Sequence, residues 1–179
     1  EINPDLIHSI QQYGASAESV TVKKNNIFNV TRAINPELGF VADPEELNLD
    51  ILNSIIERDI IPVIAPMGCD AKGKFYNINA DTAAGTVANK IQAERLLLMT
   101  DVPGVNDKNG NLISKLTIAE AEELIKNETI TGGMIPKIKT CISAIRSGVK
   151  GVVIIDGRKA HAVLFELFSS AGAGTLIVQ

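Results

Sequence analysis

The sequence predicts an α/β fold: a three-layer αβα sandwich with a mainly parallel central sheet. Short apolar runs alternate with helical patterns through the C-terminal two thirds of the chain, which is typical of a parallel sheet covered by helices on both faces. The composition agrees, because 45% of the 179 residues are hydrophobic and only 4% are aromatic. Aliphatic side chains must therefore fill the core.

The sequence of the N-terminal part predicts two helices, a hairpin and a strand. Gly14 ends the first helix, and the polar residues Lys23 to Asn26 form the turn of the hairpin. The apolar spacing of Leu49, Leu52 and Ile55 predicts the second helix. The elements cover residues 4–13 (helix), 19–22 and 27–30 (hairpin), 48–58 (helix) and 61–65 (strand), followed by a polar loop at 68–73.

The rest of the chain alternates helices with strands. Thr117 and Glu120 have the spacing of a capping box, and Gly148 is placed to end a helix. Residues 107–110 have the composition of a tight hairpin turn. Helices are predicted at 80–91, 117–126, 134–147 and 160–168, and strands at 95–99, 152–155 and 175–178.

Charge and hydropathy argue against nucleic-acid and membrane partners. The net charge is −4 and the 17 basic residues are scattered, so no basic patch for nucleic acid is predicted. No run approaches the about 18 apolar residues of a membrane span, and no signal pattern is visible. Cys69 and Cys141 are predicted to be reduced thiols. We expect a cytoplasmic protein, or a plastid-stroma protein if the source is a photosynthetic eukaryote.

Thr100 and Asp101 end an apolar run that predicts a fully buried parallel strand. Open α/β folds bind ligands at the carboxyl ends of their strands, so both side chains would project into a ligand crevice. Asp101 could contact a ligand hydroxyl or metal-bound water. The alternative is that it only starts the turn made by Pro103 and Gly104.

Asn77, Asn79 and Asp81 form a second candidate segment. Alternate residues of an extended chain face the same way, so the two amides could meet one ligand. Asp81 falls in a first helical turn, where the helix dipole favours a carboxylate. Simple capping of the helix by Asn79 is the alternative.

Gly132 and Gly133 form a third candidate segment and precede a helix whose early Pro136 suits the first turn. Glycines let backbone N–H groups approach an anion, and the helix N-terminus adds a partial positive charge. Lys137 makes most sense there if an anion binds nearby, whereas the alternative is a solvated surface lysine. A P-loop NTPase is excluded because its Gly-x-x-x-x-Gly-Lys-Ser/Thr motif is absent from the sequence.

These segments, taken in order, resemble the amino acid kinase family and, within it, the acetylglutamate kinase branch. The resemblance extends from about Leu38 to Leu176, and the Asn-x-Asn-Ala-Asp and Gly-Gly-Met-Ile-Pro-Lys sequences are typical of that branch. The aspartate, glutamate and uridylate kinases share the architecture. Residues 38–41, 61–66, 76–81, 98–105, 132–137 and 155–158 carry the resemblance.

The resemblance implies roles for the candidate residues. Lys137 would neutralise charge on the phosphoryl group, Asp81 would hold the catalytic lysines, and Asn77 and Asn79 would contact N-acetyl-L-glutamate. Mg²⁺ would bridge the phosphates of ATP, and no metal site made by the protein is expected. Residues 1–66 would be the remnant of an amino-acid-binding domain and 67–179 a nucleotide-binding domain. The implied ATP-binding residues are Thr100, Asp101, Val102, Pro103, Gly104, Val105, Asn106, Thr131, Gly132, Gly133 and Met134.

The C-terminal segment resembles the arginine-inhibited form of the family. His161, Glu166, Gly172 and Gly174 match positions that line the arginine effector site in that form. An ordinary amphipathic helix and loop is the alternative, and a lone histidine such as His161 is more often structural. The resemblance also implies a homo-oligomer and allows a PII-type signalling protein as a partner.

Part of the family's sequence has no counterpart here. The family begins with a glycine-rich loop that bears a first catalytic lysine, followed by a second loop and an arginine that grip the substrate. We therefore expect weak or absent turnover from this chain alone. The alternatives are a non-catalytic nucleotide- or arginine-binding module, or another amino acid or carboxylate kinase.

Overall fold

The computed structural model describes residues 2–33 and 36–179, which form two compact units, Glu1–Lys90 and Ile91–Gln179. The predicted α/β class is confirmed, since helices and strands alternate and both units contain parallel strand pairs. The domain boundary at residue 66 rests on the family resemblance and stays a prediction. Among the described residues, no helix has the length and apolar character needed to cross a bilayer.

The first unit contains two sheets. A two-stranded sheet pairs β1 (Ala17–Val20) with β4 (Ile61–Ile64) in parallel. A four-stranded sheet has the order β3-β2-β5-β6, in which only the central pair is parallel. The remaining elements are α1 (Ile2–Gln12), β2 (Phe28–Arg32), a 3-10 helix (Pro36–Leu38), β3 (Ala42–Leu47), α2 (Leu49–Ile56), β5 (Met67–Cys69), β6 (Phe75–Asn77) and α3 (Ala80–Lys90).

The predicted hairpin between residues 19 and 30 is wrong. A turn forms, but earlier than the predicted residues 23–26: the backbones of Thr21 and Lys24 exchange hydrogen bonds of 2.8 and 3.0 Å. The chain nevertheless passes from one sheet to another there. Buried Val20 and Phe28 belong to β1 and β2, whose partners β4, β3 and β5 lie further along the chain. Partner choice is therefore set by distant strands and not by the turn.

The predicted loop at 68–73 is also partly wrong, because Met67–Cys69 forms strand β5. Gly68 explains how β5 can lie against β2. A Cβ atom at this position would come within 2.9 Å of the Phe28 carbonyl oxygen, so a larger residue would force the strands apart. The loop proper is closed by Asp70, whose carboxylate accepts hydrogen bonds from the backbone N–H groups of Lys72 and Lys74, each 2.9 Å.

The core of the first unit is aliphatic apart from Phe28 and Tyr76. Helix α2 begins at Asn48, whose side chain accepts from the Ile51 N–H at 3.3 Å, and it buries Leu52 and Ile55. Helix α3 buries small residues, among them Ala83. Small side chains allow this helix to pack closely.

The second unit is one four-stranded sheet with helices on both faces. Its order is β7-β9-β10-β8, in which β7 and β9 are parallel, β10 and β8 are parallel, and β10 is antiparallel to β9. The elements are β7 (Arg95–Thr100), β8 (Lys115–Thr117), α4 (Ile118–Lys126), α5 (Met134–Arg146), β9 (Gly151–Asp156), α6 (Ala162–Phe168) and β10 (Gly174–Val178).

Strand β9 lies at the centre of this unit, and all six of its residues are buried. Val153 and Ile155 pack against α6. Val152 and Ile154 face the opposite side, because side chains alternate along a strand, and helix α5 packs on β9. The predicted three layers are therefore present within this unit. Strand β7, predicted to be fully buried, is instead an edge strand whose Met99 is 56% exposed.

Two local signals were read correctly. Thr117 and Glu120 form the predicted capping box, with the Glu120 N–H donating to Thr117 Oγ1 at 3.2 Å. Residues 107–110 form the predicted turn, in which the Gly110 N–H donates to the Asp107 carbonyl at 3.0 Å. The backbone N–H groups of Asn109 and Asn111 donate hydrogen bonds to the Asp107 carboxylate and hold it in place.

The replacement Ile154→Ala tests the role of β9. Ile154 is fully buried, so we expect a loss of about 2–5 kcal/mol in the free energy of unfolding. Leu164→Ala is the control, because Leu164 is 53% exposed and should change stability by less than about 0.5 kcal/mol. Urea unfolding followed by circular dichroism measures both, and equal midpoints would contradict the assignment of β9 as the core strand.

Candidate functional site

The carboxyl ends of β7 and β9 lie side by side in the second unit. Thr100 is in register with Asp156, and the N–H of Gly157 donates to the Thr100 carbonyl at 2.8 Å. Thr100 is half-buried and Asp101 is exposed, with Thr100 Oγ1 donating to Asp101 Oδ1 at 3.2 Å. Both residues lie at the strand ends, as predicted.

Asp156 and Arg158 form an ion pair at this edge. Arg158 donates from Nε and Nη2 to the two carboxylate oxygens, each at 3.0 Å, and its backbone N–H donates to Oδ1 at 3.0 Å. The side-chain bonds from Arg158, followed by its backbone bond, lower the pKa of Asp156 from the usual 3.8 to about 2. Asp156 in turn raises the pKa of Arg158, with a smaller contribution from Asp101. From the sequence, Asp156 and Arg158 are noticed only because they lie in a segment that carries the family resemblance.

The loop at residues 101–106 is fixed to strand β10. The Val105 N–H donates to Thr175 Oγ1 at 2.8 Å, and the Thr175 hydroxyl donates to the Ile113 carbonyl at 2.6 Å. Gly104 and Val105 are buried, Val102 and Pro103 are half-buried, and Asn106 is exposed. From the sequence, Thr175 is predicted only as a strand residue.

The start of α5 is open to solvent. Gly132 has φ +55°, a left-handed conformation that favours glycine. Gly133 precedes the helix without a side-chain cap, and no acidic residue lies in the first turn. Nothing lies within 4 Å of a Cβ placed on either glycine, while Lys137 is half-buried one turn into the helix. The positive end of this helix therefore has room for an anion.

Asn77, Asn79 and Asp81 lie at the junction of β6 and α3 in the first unit. Asn77 and Asn79 are exposed on either side of the buried Ile78. Asn79 Oδ1 accepts from the Thr82 N–H at 3.2 Å, so its capping role is confirmed. Asp81 is half-buried in the first turn of α3. The predicted convergence of Asp81 and Lys137, which belong to different units, stays a prediction.

The predicted effector residues lie around α6. The Glu166 carboxylate is buried; it pairs with Arg95 Nη1 at 3.2 Å and accepts from the Ala173 N–H at 2.9 Å. Gly172 and Gly174 line a pocket of about 330 Å³. His161 precedes α6 and borders a separate, mainly apolar pocket. Glu166 and the glycine segment thus meet, and the effector role stays a prediction.

The chemistry of the site residues fits a nucleotide that carries its own cation. No group of three or more His, Cys, Asp or Glu side chains is placed to hold a metal ion within residues 2–33 and 36–179. Mg²⁺ bound through nucleotide phosphates and water needs no such cage.

Comparison with known proteins identifies the family. Residues 1–156 match the model of the amino acid kinase family, and the chain belongs to that family. It is 47% identical to the acetylglutamate kinase of Rhodopseudomonas palustris (strain TIE-1) and 50% identical to that of Parvibaculum lavamentivorans, in each case over 98% of this chain. The chain spans 63% and 62% of the lengths of these relatives.

Solved structures show the same fold. A Streptococcus mutans UA159 protein matches with a TM-score of 0.82 and 30% identity, over 99% of this chain and 66% of that one. N-acetylglutamate synthase from Neisseria gonorrhoeae, complexed with coenzyme A and L-arginine, matches with a TM-score of 0.82 and 24% identity, over 92% and 38% of the two chains. Carbamate kinase from Giardia lamblia bound to AMP-PNP matches with a TM-score of 0.68 and 16% identity, over 99% and 67%.

The Asp156–Arg158 pair predicts a pH-dependent contribution to stability. Because the folded-state pKa of Asp156 is lowered from 3.8 to about 2, the stabilisation is present above pH 3.8 and is lost as the pH falls toward 2. Asp156→Asn should lower the Tm at pH 7, and the difference from the unaltered chain should shrink between pH 4 and 2. Thermal unfolding across this range measures the effect, and a difference independent of pH would contradict the ion-pair explanation.

Proposed function

We propose that this chain is part of an acetylglutamate kinase, which transfers the γ-phosphoryl group of ATP to the γ-carboxylate of N-acetyl-L-glutamate in arginine biosynthesis. The observation that carries the proposal is the identity of 47–50% to acetylglutamate kinases over 98% of the chain. The cytoplasmic location belongs to the same proposal. The second unit supports it physically, because polar loops and an open helix N-terminus suit a nucleotide phosphate.

In this proposal, Thr100, the loop at 101–106 and residues 131–134 bind ATP. A carboxylate oxygen of the acceptor attacks the γ-phosphorus, a new P–O bond forms, and the bond to ADP breaks as ADP leaves with its electron pair. Negative charge must be balanced on the transferred group. Lys137, one turn into α5, supplies a fixed cation, and bound Mg²⁺ would supply further positive charge at the phosphates.

The first unit contributes the acceptor contacts in this proposal. Asn77 and Asn79 present exposed amides next to the buried Ile78, and amide N–H groups suit the oxygens of acetylglutamate. The family resemblance assigns Asp81 the role of orienting catalytic lysines. Inhibition by arginine, a homo-oligomer and a PII-type partner are proposals that rest on the family resemblance alone.

Titration with MgATP and turnover assays separate the candidate functions. Binding of MgATP together with acetylglutamate-dependent release of ADP supports the kinase. Binding without turnover supports a nucleotide-binding module. Faster turnover with aspartate, glutamate or carbamate would indicate another kinase of the family, and absence of MgATP binding would contradict all of these functions.

Lys137→Met tests the cation of the site, with Lys139→Met as a matched control. Both lysines lie in α5, but Lys139 is exposed and borders a groove with Glu122 and Arg146. In protein that shows turnover, Lys137→Met should lower kcat by at least about 100-fold, because a charge that acts on the transition state is lost. Steady-state kinetics measures kcat, and a retained rate in Lys137→Met would remove its assigned role.

A further inference from the structure

We propose that Thr175 is a positioning residue that holds the loop at 101–106 in the shape that receives the nucleotide. The inference rests on the proposed function, in which this loop binds ATP. The Thr175 side chain would act through the backbone of Val105 and would not itself need to contact the ligand.

The Thr175 hydroxyl joins two segments of the chain to β10. It accepts from the Val105 N–H at 2.8 Å and donates to the Ile113 carbonyl at 2.6 Å. The residue is fully buried, so water cannot replace either bond at this site. A hydroxyl is suited to this place because it donates and accepts at once. Loss of the hydroxyl would leave a buried donor and a buried acceptor unpaired.

Gly104 gives the loop its close approach to Thr175. Its φ of +146° is a conformation that L side chains rarely adopt, and a Cβ atom there would lie 2.5 Å from Thr175 Oγ1 and 2.8 Å from Leu112 Cδ1. The glycine and the threonine are therefore complementary. Gly104 lacks the Cβ atom that would block the close approach, and Thr175 supplies the hydrogen bond that keeps the loop in place.

A loop fixed before the ligand arrives binds more tightly than one that must be ordered. Apparent affinity falls in proportion to the fraction of molecules whose loop has the competent shape. Thr175 is remote in sequence from the predicted ATP-binding residues of this loop, and its hydroxyl is occupied by protein partners. Its effect on the nucleotide is thus conformational.

Thr175→Val tests the inference, because it keeps the branched shape and removes the hydroxyl. We expect MgATP affinity, measured by calorimetry on the full chain, to fall by at least about tenfold. Hydrogen exchange at the Val105 amide should accelerate in the same variant. Thr175→Ser restores the hydroxyl and should recover most of the affinity and the protection of Val105.

Thr117→Val is the matched control. Thr117 also lies in the second unit and loses a hydroxyl that caps α4, so it should cost stability without changing MgATP affinity. Equal MgATP affinity in Thr175→Val and the unaltered chain would overturn the inference while leaving the proposed function intact. An equal fall in Thr117→Val, or no recovery in Thr175→Ser, would assign the effect to stability and also overturn it. If the unaltered chain binds no MgATP, the proposed function fails, and the inference fails with it.

Discussion

The burial of both faces of β9 is the constraint on which the second unit depends. Six consecutive residues, Gly151–Asp156, are removed from water, and apolar burial is worth about 25 cal/mol per Å². Polar groups are therefore confined to the strand end, where Asp156 is compensated by Arg158. The same constraint places the neighbouring end of β7, with Thr100, at that edge. The candidate nucleotide loop begins where the apolar core ends.

Local signals in the sequence were sufficient for the elements that they specify. The capping box at Thr117, the turn at Asp107 and the continuous apolar run of β9 each lie within a few residues, and the structure confirms them. Two of the wrong predictions, the hairpin at 19–30 and the loop at 68–73, concern pairing between distant segments. Val20 and Phe28 lie in separate sheets, because partners far along the chain bury each strand better than the neighbour across the turn. Competition between possible strand partners cannot be recognised from a short stretch of sequence.

The same difference between local signals and contacts of distant segments applies to the candidate site. Thr100 and Asp101 could be predicted as site residues because polar residues after an apolar run are conspicuous, and the glycines before α5 because they lie at a helix start. Thr175 could not be found in this way. A threonine within a strand is ordinary, and its two partners are 70 and 62 residues away along the chain. The role proposed for Thr175 depends on a packing arrangement that only the fold brings about.

The ion pair between Glu166 and Arg95 has a consequence for any small guanidinium compound that reaches the end of α6. The only buried carboxylate described on that helix already holds a cation supplied by the chain itself, and the Ala173 N–H occupies its other oxygen. An external guanidinium would compete with Arg95, whose side chain is 42% exposed and can move into water. Arg95 is thus an internal competitor for such a compound. If the compound replaces Arg95 on Glu166, its binding free energy must come from contacts that Arg95 does not make.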